Sequence, residues 1–240
     1  MNDVVIAPSL VQLSIALVPV ALTLVIMWRW SMDVGNALYA LGRMLIQLLL
    51  IGYVLAWIFG ARTGWLILLV LLIMAVTSSW IALRTAPGER LPLFGAAFTG
   101  IFLGGGFVLA LITFAVLELS PWYLPNYMIP LAGMAFANAM TAVSLAVERL
   151  YAELDHGESW QRARTTAFQA AMIPVVNSLF AVGLVSLPGM MTGQILSGVS
   201  PSIAARYQIM VMCMIFAASG IATAIFLTLC KESEAKEATH

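Results

Sequence analysis

An all-α, polytopic transmembrane helix bundle is the fold class this sequence predicts, and three observations predict it. The 240-residue chain is 62% hydrophobic with a mean hydropathy of +1.00, more apolar surface than a soluble domain of this size can hide. Only 9% of its residues are charged. Seven apolar runs are long enough to cross a bilayer, at roughly 8–28, 37–59, 65–83, 93–117, 128–147, 168–187 and 207–230. They predict about seven spans in a single transmembrane domain covering 1–240, with one polar segment of note at 148–166. A six-span arrangement, in which the last broken segment is re-entrant, is the main alternative.

Charge placement sets the expected orientation. With the N-terminus outside, Arg29, Arg84, Arg90, Arg149, Arg162, Arg164, Lys231 and Lys236 fall in cytoplasmic loops or tail, and only Arg62 and Arg206 fall outside. That bias predicts N-out and C-in. The N-terminal MNDVV lacks the basic n-region of a signal peptide, so the first run reads as a retained helix. Formal net charge is zero, and no basic field points to nucleic acid.

Span two carries Tyr39, Arg43 and Gln47 at i, i+4 and i+8, three polar tips on one helical face. Arg43 is expected about 9 Å above the inner end, where snorkelling and a functional or inter-helix role both fit. Gln47 lies deeper and needs a partner on another helix. Span three ends in Thr77-Ser78-Ser79-Trp80, hydroxyls expected to bond back to their own helix. Span four has Gly100 and Gly104 at G-x-x-x-G spacing, followed by Gly105 and Gly106, a pattern for close helix contact. The loop after it, with Pro121, Trp122, Tyr123, Pro125 and Tyr127, reads as an interfacial aromatic belt.

Span five is expected to start at Pro130, with Gly133 and Ala137 spaced for close packing and Asn138 about ten residues deep. Span six carries Asn177 and Ser178 at a similar depth. Gln47, Asn138 and Asn177 therefore sit near one level of the membrane. Transporters hold substrate at that level, and paired amides that bond helices together are the alternative. After span six the chain is expected to break at Pro188-Gly189 into a small-residue segment with Met190, Met191 and Gln194. Unwound backbone at membrane depth lines pathways or gates, and a capped helix end followed by an ordinary loop is the plainer reading.

Between spans five and six lies ERLYAELDHGESWQRARTT, from Glu148 to Thr166. Gly157 separates two helical pieces, which would make a helix-turn-helix against the membrane face or a merely solvated loop. Trp160 among charges suits a docking surface, with Glu153, Arg162 and Arg164 around it.

The absences are equally informative. No Asp or Glu occurs between Asp33 and Glu89, between Glu118 and Glu148, or between Glu158 and Glu232, and the histidines, His156 and His240, sit in loop and tail. The spans thus lack the carboxylates and imidazoles of proton relays, zinc hydrolases and Ser-His hydrolases. Lysine occurs only at Lys231 and Lys236, so no G-x-x-x-x-G-K-[ST] loop exists, and any ATP must be bound by another chain. Cys213 and Cys230 lie roughly 25 Å apart if they share one helix, too far to pair. Fourteen methionines, Met190, Met191, Met210, Met212 and Met214 among them, suit flexible packing more than a soft-metal site.

Three stretches carry a family resemblance: GRMLIQLLLIGYVLAWIF (Gly42 to Phe59), MIPLAGMAFANAMTAVSL (Met128 to Leu145), and IPVVNSLFAVGLVSLPGMMTGQILSGVSP followed by RYQIMVM. Together they resemble the FetB-like ABC permease family, bacterial subunits implicated in iron export with plant relatives implicated in aluminium tolerance. The Gly183–Ile195 run is the most specific of the three. The resemblance implies a permease without catalytic residues in a bacterial inner membrane, paired with a separate ABC subunit that binds ATP and Mg, in an assembly with a homodimer of permeases. The coupling stretch AELDHGESWQRAR departs from the family's leucine-glycine-alanine pattern, and the stretch from Gly157 to Pro174 is several residues shorter than usual in the family. The expected function is transport of a metal ion such as iron. A membrane scaffold without transport and an ATPase-independent channel are the alternatives. The expected pathway residues are Arg43, Gln47, Asn138, Asn177 and Ser178. The expected gate is Pro188, Gly189, Met190, Met191 and Gln194, and the expected coupling residues are Glu153, Gly157, Trp160, Arg162 and Arg164.

Overall fold

The computed structural model describes residues 9–60, 63–86, 88 and 90–230. Arg62, the N-terminal MNDVV and the charged tail KESEAKEATH, with Lys231, Lys236 and His240, lie outside them. Among the described residues every regular element is helical, and the one β-like feature is an isolated bridge between Val182 and Ser186. The chain packs as two units, one ending at Ala61 and the other starting at Arg62.

The first unit holds α1 (Leu10–Ile15), α2 (Leu17–Arg29) and α3 (Val34–Gly60). Ser9 opens it with a capping box: its hydroxyl accepts from the Gln12 amide at 3.3 Å while Gln12 Oε1 accepts from the Ser9 amide at 2.8 Å. Asp33 caps the start of α3, its carboxylate accepting from the Asn36 backbone amide at 3.0 Å.

The second unit holds α4 (Gly64–Ala82), α5 (Leu91–Thr99), α6 (Gly106–Leu111), α7 (Pro125–Asp155), α8 (Trp160–Ala181), α9 (Gly189–Leu196) and α10 (Pro201–Leu229). α5 and α6 belong to one continuous span, joined by a π-helical stretch at Gly100–Gly105 and followed by another at Ile112–Val116. α10 is the hub: it packs on α7, α8, α9 and the α5–α6 span.

Among the described residues six stretches are long and apolar enough to cross a membrane: Val11–Arg29, Val34–Leu55, Gly64–Thr85, Leu91–Val116, Pro125–Asp155 and Pro201–Leu229. The count by length and composition is thus six rather than the expected seven. The run at 168–187 falls partly in α8, which starts earlier, at Trp160, and carries Gln161, Arg162, Arg164 and Gln169. The reason for its polarity is the helix it packs on. A short turn, His156 to Ser159, makes α7 and α8 antiparallel neighbours. The polar start of α8 therefore lies beside the polar end of α7, Glu148–Asp155, and the apolar parts of the two helices lie side by side.

Small residues set the close contacts. Ala135, Ala139, Ala142 and Ala146 of α7 and Ala163, Ala167 and Ala171 of α8 are buried stripes at helical spacing, and lipid-embedded helices associate by such backbone proximity rather than by hydrophobic exclusion. Gly100 and Gly104 meet α10: a Cβ on Gly100 would stand 2.6 Å from the Ala222 carbonyl oxygen, and one on Gly104 2.6 Å from the Ala222 nitrogen. The expected contact at Gly133 and Ala137 does not form. A Cβ on Gly133 would meet only the Met74 Cε at 3.6 Å, and Ala137 is exposed. Helix α7 also begins at Pro125 with Pro130 inside it, because Pro125 supplies the N-terminal φ that a helix start accepts. Ser79 is fully buried and donates to the Ala75 carbonyl at 2.7 Å, the local satisfaction its position predicts.

Candidate functional site

The described spans contain few buried polar groups, and most of those without a partner lie on α10. Gln208 is 5% exposed, and its Oε1 has no hydrogen-bond donor. Ser219 and Thr223 are fully buried with unpartnered hydroxyls, and the Tyr207 hydroxyl and Gln194 Oε1 are buried without partners too. Along α10, Gln208, Ser219 and Thr223 fall within about 60° of one another and over about 22 Å of helix. Hydroxyls in apolar helices ordinarily bond back to a carbonyl one turn earlier, as Thr228 does to Ala224 at 2.7 Å. Ser219 and Thr223 do not. Orphaned polar atoms inside a membrane protein cost more than in water-facing sites, so such a row is a candidate for water or a polar cargo. Its oxygens are hard donors, able to accept from a hydration shell or to hold a cation weakly. Among the described residues no group of three or more His, Cys, Asp or Glu side chains could hold an ion.

At one end of this row sits α9. It follows a loop that begins with α8 ending at Ala181, where Val182 is already extended and Gly183 takes φ +84°. The helix break therefore lies at Val182, not at Pro188. Pro188 is the N-cap of α9, and Gly189, Met190, Met191 and Gln194 are helical, in contrast to the unwound gate expected there. A proline needs no amide partner at a helix start, which is why the pattern reads as a break but builds a beginning. The loop is strongly exposed at Leu184 (92%) and Val185 (84%). Of the gate residues, Gln194 presents the unpartnered oxygen. Tyr127, in the first turn of α7, lies within electrostatic reach of Tyr207.

Asn138 and Asn177 are equidistant from the α7–α8 turn and so share a level, as the sequence suggests. They are not bonded to each other. The Asn138 amide donates to the Met134 carbonyl on its own helix at 2.8 Å, and Asn177 lies on the exposed face of α8 with Ile173 and Phe180. Ser178 donates to the Val175 carbonyl at 2.7 Å. Gln47 is exposed and Arg43 half-buried on α3 of the first unit.

The α7–α8 turn is the charged end of the second unit. Helix α7 has 31 residues, about 46 Å against a hydrocarbon thickness of about 30 Å, so its last two turns stand clear of the apolar layer. Gly157 turns the chain with φ +81°. Arg149 pairs with Glu153, and Arg162 with Glu158 at 3.6 Å. Glu153, Glu158, Arg162 and Thr166 border a cavity of about 370 Å³. Trp160 is half-buried at the first position of α8. Arg164 is not part of this cluster; it lines a separate groove between α8 and α10.

Residues 10–233 match the family described as Uncharacterised protein family (UPF0014). The chain belongs to the UPF0014 family. It is 33% identical to the probable iron export permease protein FetB of Escherichia coli K12 over 230 residues, 89% of this chain and 87% of that protein. It is 34% identical to the UPF0014 membrane protein slr1647 of Synechocystis over 211 residues, 82% of each. To the protein ALUMINUM SENSITIVE 3 of Arabidopsis thaliana it is 30% identical over 244 residues, 95% of this chain and 88% of that one. No solved structure matches the chain. This UPF0014 member is a multi-pass, all-α membrane protein.

Two features of the UPF0014 chain escaped sequence reading. The orphaned row on α10 was legible only as the spacing of Gln208, Ser219 and Thr223 at i, i+11 and i+15, inside an otherwise apolar span. The other is a cavity of about 660 Å³ between α4, the α5–α6 span and α7, walled by Leu72, Phe102, Phe107, Phe114 and Phe136. Its one hydroxyl, Thr113, is satisfied by the Leu109 carbonyl at 2.8 Å and Met128 Sδ at 3.3 Å, so this space suits hydrocarbon rather than water.

Proposed function

We propose that this chain is the permease subunit of an ABC transporter of the bacterial inner membrane, moving a small cargo, a metal ion such as iron in the export direction, while a separate subunit hydrolyses ATP. The similarity to a probable iron export permease over most of both chains carries this reading. The orphaned oxygens of Gln208, Ser219 and Thr223 support a polar route through an otherwise apolar bundle. With no carboxylate or imidazole in the apolar parts of the spans, the cargo is held weakly or travels as a complex. The chain itself catalyses nothing and needs no cofactor; ATP and Mg belong to its partner.

On this reading the α7–α8 turn faces the cytoplasm, as the arginine bias favours, and docks the ATP-binding subunit through Trp160, Arg162 and Glu153 around Gly157. Two permeases pair, and Asn177 supports that pairing: an amide on an exposed apolar helix face in lipid gains a partner when a second copy meets it. Asn177→Leu is expected to leave membrane insertion intact while reducing both dimer recovery and transport. Loss of insertion instead would make Asn177 a folding residue.

The deciding experiment is co-expression with a candidate stand-alone ABC ATPase from the same genome, followed by purification and assays of ATP hydrolysis and vesicle transport across candidate metals. A stable complex with metal-stimulated hydrolysis is expected. Ion flux without ATP would establish a channel, and recovery with other membrane proteins but no flux would establish a scaffold. Within the complex, Gln208→Leu removes the orphaned acceptor at nearly constant volume. It should leave stability unchanged or raise it by about 1 kcal/mol, and it should lower transport. A drop in melting temperature with normal transport would show that Gln208 is structural.

A further inference from the structure

Arg162 and Arg164, two residues apart, face different surroundings. Arg162 is ion-paired with Glu158. Among the described residues Arg164 has no acidic partner, and it lines a groove of about 380 Å³ between α8 and α10. The groove has an order along the membrane normal. A Cβ on Gly220 would stand 3.7 Å from Met172 Cε, which sets the antiparallel register of the two helices. Two turns from that contact, Arg164 comes level with Thr228, and between them Phe168 comes level with Ala224. The groove therefore has a cationic end, where Arg164 lies beside Leu227 and Thr228, and continues toward the membrane interior along Phe168, Gln169 and Ala224. No Asp or Glu lines it.

We infer that this groove is a binding site for an anionic phospholipid, with Arg164 holding the phosphate and one acyl chain lying over Phe168 and Ala224, beside the Gln169 amide. Depth, charge and wall chemistry agree. Arg164 lies within two turns of Ala170, where α8 becomes mainly apolar, a position that suits headgroup phosphates. Guanidinium offers several N–H donors to phosphate oxygens. Basic pockets between membrane helices are matched to anionic headgroups in this way, whereas a protein partner would not need the apolar continuation. Bound lipid there would bridge α8 to α10, the helix that carries the orphaned polar row.

The test is native mass spectrometry of the purified chain, with its ATPase where the two co-purify, after exchange into matched phosphatidylglycerol or phosphatidylcholine. Phosphatidylglycerol should be retained at least about fivefold better, the equivalent of roughly 1 kcal/mol for one basic residue at a membrane surface. Arg164→Gln should abolish that preference, Arg164→Lys should restore part of it, and Arg162→Gln should leave it unchanged. Ala224→Phe, which fills the acyl part of the groove and leaves the cationic end intact, should lower retention of both lipids. Equal retention of the two lipids by the unaltered chain, an undiminished preference in Arg164→Gln, or an equal loss in Arg162→Gln would overturn the assignment. Release of the ATPase by Arg164→Gln with lipid retention unchanged would assign Arg164 to the subunit interface and also overturn it.

Discussion

Gly104→Ala is expected to destabilise the second unit by about 2 kcal/mol, within the range for overpacking a tight contact. The added Cβ would stand 2.6 Å from the Ala222 nitrogen and 2.8 Å from its Cα. Both are backbone atoms of a 29-residue helix and cannot turn aside as a side chain can, so α10 and the α5–α6 span must separate. The neighbouring contact at Gly100, also against Ala222, would loosen with them. In a thermal unfolding assay in detergent, a loss of that size lowers the midpoint by about 4–8 °C. Gly106→Ala provides the opposite sign. Nothing lies within 4 Å of its Cβ position, and alanine gains up to about 1 kcal/mol of helix propensity over glycine. Equal midpoints for the two variants would show that the Gly104 contact does not hold the bundle together.

Trp160→Ala is expected to weaken binding of the proposed ATP-binding subunit by about 2 kcal/mol or more, near thirtyfold, as truncation of a central aromatic anchor does. Trp160 occupies the first position of α8, beside the turn that extends beyond the apolar layer, and is half-buried against its own chain. Melting of the chain without the ATPase separates the two contributions: an unchanged midpoint together with loss of co-purification places the effect at the interface. Arg162→Ala should act more weakly and vary with salt, since Arg162 is an exposed charge already paired with Glu158. Retention of the ATPase and of stimulated hydrolysis in Trp160→Ala would place docking elsewhere on the chain.

The positions of the helices were legible in the sequence because hydropathy and length are local properties. Six of the seven expected runs coincide with spanning helices to within a few residues at most ends, and the hydroxyl of Ser79 bonds where its spacing says it should. The G-x-x-x-G contact of Gly100 and Gly104 was legible too, as a contact without a known partner. Where the ladder ends is also local in origin, yet the pattern misplaced it, since Gly183 stops α8 before Pro188 starts α9. Only tertiary structure decided which faces turn inward. In lipid, an apolar helix face carries no signal that it is buried, so nothing in the last span marks Gln208, Ser219 and Thr223 as enclosed while Cys213 is exposed. Register between helices distant in sequence is likewise a pairwise property. It brings Ala222 against Gly104, leaves Gly133 without a close neighbour, and sets Arg164 in a groove on α10 while Arg162 pairs with Glu158. The sequence alone therefore determined a multi-pass helical protein with a charged turn between its fifth and sixth apolar runs. The packing of α10 against the helices around it decided where the polar groups inside that protein meet.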